Sequence, residues 1–99
     1  MTKIVINGCY GGFGLSKAAC DVLNAMGRRD SEGDLIDSHT FSYEGRDDAD
    51  LVEVVETMGK AASGEYASLH IVEIPDDVKW SISEYDGIEH VCEQHRTWR

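Results

Sequence analysis

The chain has 99 residues, enough for a single domain spanning 1–99 and too few for two independent cores. Hydrophobic residues make up 41% and proline occurs once, which excludes a disordered linker or a low-complexity chain. Nineteen Asp and Glu against nine Lys and Arg leave a net charge of −10. That balance argues against nucleic acid, which is bound by Lys and Arg displacing phosphate counterions, and against an anionic membrane surface.

The opening run Ile4-Val5-Ile6 is β-branched and apolar on both faces, as a covered strand requires. A glycine-rich loop follows, Gly8-Cys9-Tyr10-Gly11-Gly12-Phe13-Gly14. Leu15, Ala18, Ala19, Val22, Leu23 and Met26 then recur at helical spacing, with Ser16 placed to cap the helix and Gly27 to close it. Residues 28–44 are polar and read as a solvated loop, with a short strand expected at His39–Tyr43.

A second helix is marked by Leu51, Val54, Val55, Met58 and Ala62, with Asp47 or Asp48 as its cap and Gly59 or Gly64 as its stop. Ser68–Ile74 reads as a buried strand, and Pro75-Asp76-Asp77 supplies a turn. Trp80, Ile82 and Glu84 alternate with Ser81, Ser83 and Tyr85 in a half-buried strand returning antiparallel.

The close of the chain admits two readings. Asp86-Gly87 is a hairpin dipeptide that would pair Ile82 with Val91 and Glu84 with Glu89, whereas Asp86-x-x-Glu89 is also a capping box ahead of a helical spacing. The hairpin is preferred, although it sets two carboxylates opposite each other, a cost relieved if they splay apart or hold a cation. Trp98 is expected to pack back on the sheet, and Arg96 to pair with an acidic strand. The expected architecture is α+β: a two-layer sandwich with one mixed sheet of 3–5 strands and two helices on one face. A right-handed crossover would place the strand that follows the first helix.

No stretch approaches the roughly 20 apolar residues of a membrane span. The N-terminal apolar run is too short for a signal peptide, and three widely spaced cysteines, Cys9, Cys20 and Cys92, suit free thiols in a reducing cytoplasm.

The glycine loop is the most specific chemical feature. A strand–glycine turn–helix offers backbone N–H groups to an anion, and Tyr10 or Phe13 offers a stacking surface. The dinucleotide spacing fails, because Lys17 stands where the third glycine belongs, and no Gly-Lys-Ser/Thr follows for a P-loop. The candidate ligand residues are Cys9, Tyr10, Gly11, Gly12, Phe13, Gly14, Ser16 and Lys17; the competing reading is a tight turn that needs glycine for steric reasons alone. Cys9 precedes a helix start, where a thiolate is favoured, but no partner histidine is evident and no catalytic residue is assigned.

His90, Cys92 and His95 with Glu89 and Glu93 lack the second ligand pair of a structural zinc site, so neither metal nor cofactor is expected. From Asp30 to Glu56 there are ten carboxylates against Arg46, and from Glu73 to Glu93 seven against Lys79. Asp47, Asp48, Asp50, Glu84, Asp86, Glu89 and Glu93 are therefore read as an acidic interaction face.

The strings IVINGCYGGFGLS (4–16), DLVEVVETMG (50–59) and LHIVEIPDDVKWSISEYDGIEHVCEQHRTW (69–98) resemble a group of small bacteriophage-encoded proteins. The resemblance leaves out 28–46, implies a phage context in the host cytoplasm and carries over no functional residues. Together these readings predict a non-enzymatic accessory protein that binds a host or defence protein with a basic surface. The alternative is a small-ligand binder that holds an anionic, nucleotide-like molecule at residues 8–17.

Overall fold

In a computed structural model, residues 1–30, 32–41 and 45–93 are described, Glu93 by its backbone alone. Strand β1 (Thr2–Asn7) is followed by helix α1 (Lys17–Ala25) and helix α2 (Ala49–Met58), which runs into a 3-10 turn at Gly59–Ala62. Strands β2 (Leu69–Ile74), β3 (Trp80–Tyr85) and β4 (Ile88–Glu93) complete the described chain. The mixed α+β class expected from the sequence is present.

Both helices end as their sequences dictate. The Ser16 hydroxyl accepts from the Ala19 N–H at the start of α1, and Gly27 (φ 87°) closes the helix. There the Gly27 N–H donates to Asn24 O and the Arg28 N–H to Leu23 O, a two-bond Schellman closure. The cap of α2 is Asp48, whose carboxylate accepts from the N–H groups of Asp50 and Leu51. Gly59 (φ 57°) ends the α-helical part.

The single mixed sheet is not what forms. β1 pairs antiparallel with β2, β3 pairs antiparallel with β4, and the two ribbons are separate sheets. No parallel crossover joins β1 to β2: the two strands run antiparallel although both helices lie between them in the chain. The two faces of β1 explain the arrangement. Val5, with Leu69 and Ile71 of β2, packs into a cluster with Leu15, Leu23, Leu51 and Val55 on the helical side. Ile4 and Ile6, with Val72 and Ile74, pack against Trp80, Ile82 and Val91 of the β3–β4 hairpin. The molecule is thus three layers (helices, ribbon, hairpin), and the strand that is apolar on both faces lies in the middle.

What stops β1 from taking a third strand lies along its open edge. The Gly8 N–H donates to Ser68 O, which turns the even-numbered N–H groups of this strand toward β2 and the odd ones outward. The outward Val5 N–H donates to Arg46 O, and Val5 O accepts from Arg46 Nη1. The outward Asn7 N–H donates to the Glu89 carboxylate at 2.8 Å. A loop arginine and a hairpin glutamate thus occupy the hydrogen-bonding positions that a neighbouring strand would fill.

The strand expected at His39–Tyr43 is a turn over its described part, His39–Phe41; Ser42 and Tyr43 lie outside the described residues. Its burial comes instead from Phe41, which joins the helical cluster. His95, Arg96 and Trp98 also lie outside the described residues.

Candidate functional site

Asp86 (φ 50°) and Gly87 (φ 93°) form the two-residue turn of the hairpin, both in the left-handed region, as this connection requires. The register is the one expected, with Ile82 opposite Val91 and Glu84 opposite Glu89. The two carboxylates take different partners. Glu84 accepts from the Gly87 N–H at 2.6 Å and stays exposed. Glu89 turns inward and holds Arg46 in a two-point ion pair, at 2.6 and 2.8 Å, with side-chain exposures of 7% and 3%.

Arg46 is anchored by further contacts. Its Nε donates to Phe41 O, and its guanidinium lies 3.7 Å from the centre of the Phe13 ring. Beside it the buried Asn7 side chain receives the Ser68 N–H and donates to Cys9 O and Gly87 O. Hydrogen bonds and the ion pair thus tie the opening strand, the glycine loop, the loop at 46 and the hairpin into one polar knot. Burying two charges costs several kcal/mol each, so the pair stabilises the fold little beyond a hydrophobic substitute. Its effect is positional: it fixes the hairpin against β1.

The hairpin tip also presses on the glycine loop. A Cβ on Gly87 would lie 2.3 Å from Tyr10 O and 2.7 Å from Gly12 N, and a Cβ on Gly11 would lie 1.7 Å from Tyr66 O. The loop is therefore clamped between the turn at 86–87 and the segment at 64–67. Two of its glycines have structural reasons: close approach at Gly11, and φ 88° at Gly12.

The candidate ligand residues divide. Phe13 belongs to the core, where Arg46 covers it, so it is not a free stacking surface. Tyr10 is 72% exposed. The Cys9 thiol, half-buried, donates to Tyr66 O at 2.9 Å. The Leu15 N–H donates to Ser38 O and the Ser16 N–H to Ala62 O, so the donors entering α1 serve packing against neighbouring loops. Lys17 points outward and pairs with Asp21. Gly12 and Gly14 border open space.

The acidic residues divide as well. Arg28 takes Asp48 and Asp50 at 2.7 and 2.6 Å. The Arg28 contact holds the Asp48 carboxyl below the usual carboxylate range, with its backbone amide bonds adding to the effect, and the two carboxylates push the guanidinium upward. Asp47, Glu84 and Asp86 are exposed; Glu89 is internal. The Glu93 side chain lies outside the described residues. On β4, His90 and Cys92 are exposed residues on one face, and no group of three metal-capable side chains occurs among the described residues.

Two clefts flank the loop. One, of about 500 Å³, is lined by Gly12, Phe13, His39, Ile82 and Glu84, with the Arg46–Glu89 pair in its wall. The other, of about 230 Å³, runs between residues 11–15 and 64–67 beside Ser38 and His39. Among the described residues three tyrosines stand out into solvent: Tyr10, Tyr66 and Tyr85, each more than 70% exposed. Tyr10 and Tyr66 are carried by segments in direct contact, and Tyr85 precedes the hairpin turn whose Gly87 approaches Tyr10 O. Sequence reading singled out Tyr10 but gave Tyr66 no role; its only signal was an aromatic residue between Glu65 and Ala67 in a polar stretch.

No helix among the described residues is long and apolar enough to cross a membrane. Comparison of the chain with protein-family models, with curated proteins and with solved structures finds no match.

Proposed function

We propose that this chain is a phage accessory protein that acts in the host cytoplasm by binding a host or defence protein with a basic surface. The contact face is formed by the glycine loop, the segment at 64–67 and the hairpin tip. The observation that carries this reading is the group of exposed tyrosines, Tyr10, Tyr66 and Tyr85, with the exposed carboxylates Glu65, Glu84 and Asp86 beside them. Exposed tyrosines supply rigid contact area at low entropic cost, and carboxylates around them select cationic partners and speed encounter. Lys3, Lys17, Arg28 and Arg46 are each engaged with a carboxylate of the same chain. Glu65, Glu84 and Asp86 are exposed carboxylates that none of these four cations engages.

Asp48 and Asp50 drop out of this face, since they serve Arg28 and the cap of α2. A nucleotide-like anion at residues 8–17 is the weaker alternative, because the Leu15 and Ser16 amides have internal acceptors.

A charge-silent variant tests the reading. Tyr10→Ser combined with Tyr66→Ser leaves the net charge unchanged. Fluorescence anisotropy with a labelled ten-residue arginine peptide at low salt should show binding to the parent chain that weakens as salt rises, and at least a tenfold loss in the variant. Equal affinities would reduce the interaction to bulk charge and remove the face.

A further inference from the structure

We propose that the cleft between residues 11–15 and 64–67 receives a single guanidinium side chain presented by the partner, and that Gly14 is kept small to admit it. This deepens the reading of a basic partner and rests on it.

Gly14 is the starting observation. Gly11 is required by Tyr66 and Gly12 by its backbone conformation, but neither reason applies at 14. Its φ is not positive, and a Cβ built there would meet no atom within 4 Å. Its carbonyl accepts from the Gly64 N–H, a bond that any residue could make. Alanine would restrict the unfolded chain and stabilise the protein, so folding alone favours replacing this glycine. Gly14 lines the cleft, and the position a Cβ would take there is open space.

The size and charge of the cleft select the occupant. At about 230 Å³ it falls below the range of roughly 300–1,000 Å³ that encloses nucleotide-sized ligands, and it suits one long side chain. Glu65 lies on its rim, and Glu84 and Glu89 line the adjoining cleft, where Arg46 is already held by Glu89. His39 borders both clefts and Ser38 the smaller one. A cation is favoured over an anion in such surroundings. The planar guanidinium fork matches carbonyl and carboxylate acceptors and stacks on tyrosine, here Tyr66 at the rim, in a way that an ammonium does not.

The test compares labelled ten-residue arginine and lysine peptides on the parent chain, Gly14→Ala and Gly14→Leu, with a melting curve for each protein. The parent should bind the arginine peptide about tenfold more tightly than the lysine peptide. Gly14→Leu should abolish that preference while leaving the lysine peptide's affinity within twofold. Gly14→Ala should melt at or above the parent temperature and lose part of the preference, which keeps the test valid if leucine perturbs the fold. Absence of an arginine preference in the parent, or its survival in Gly14→Leu, overturns the cleft. If arginine binding is lost in the tyrosine variant yet unaffected at position 14, the contact face stands and the cleft falls. If neither peptide binds the parent, both fall.

Discussion

Glu89 and Asp48 are two carboxylates of an acidic chain, and their neighbours give them different roles. Glu89 is buried against Arg46 and accepts the Asn7 N–H, so it closes a strand edge. Asp48 is half-buried, caps α2 and faces Arg28, so its charge reports on a loop-to-helix contact. Because Arg28 holds its folded-state carboxyl below the unfolded value near 4, the stabilisation is present above about pH 4 and disappears as pH falls through the lowered value. Asp48→Asn preserves the cap while removing the charge. Urea melts should show the parent more stable than the variant by up to ~1 kcal/mol at pH 7, with the gap closing below pH 4. A gap independent of pH would mean that the ion pair contributes nothing.

At the scale of elements, the register of the hairpin is legible once its turn is preferred to the rival capping box, and the sheet is the least legible part. Asp86-Gly87 with flanking alternation specifies a two-residue turn through backbone conformation, a local property, and the register followed from it. The opposed carboxylates carried a second signal. Their repulsion called for splaying or a cation, and both occur: Glu84 bonds within the turn, and Arg46 meets Glu89. That the cation was Arg46 was not legible, since 43 residues separate the partners. The same non-local pair occupies the edge of β1, which is why periodicity pointed to one sheet where two formed.

Two glycines with nearly equal φ isolate the docking of the hairpin tip. A Cβ added at Gly27 (φ 87°) would meet no atom within 4 Å, whereas one at Gly87 (φ 93°) would meet Tyr10 O at 2.3 Å. Gly27→Ala should cost about 1–2 kcal/mol from left-handed strain alone. Gly87→Ala should cost about 1–3 kcal/mol more, because backbone must move. Denaturant unfolding of both variants checks this, and equal costs would show that the tip does not bear on the glycine loop.

At the scale of the whole molecule, the three layers bring one end of the hairpin onto the loop leaving β1, with the segment before β2 closing the other side. The sequence marks the glycine loop as special, but not why. The loop is a clamped platform holding Tyr10 outward, and the amides that follow it, at Leu15 and Ser16, are spent on Ser38 and Ala62. The acidic face was legible as charge and illegible as a place, because which carboxylates are consumed internally depends on contacts between distant residues.

The most direct measurement is amide chemical-shift mapping of the protein titrated with a basic peptide at low salt. The account places the perturbed amides at 9–14, 64–67 and 84–88. Shifts centred instead on 47–50, or spread evenly over all exposed carboxylates, would contradict it.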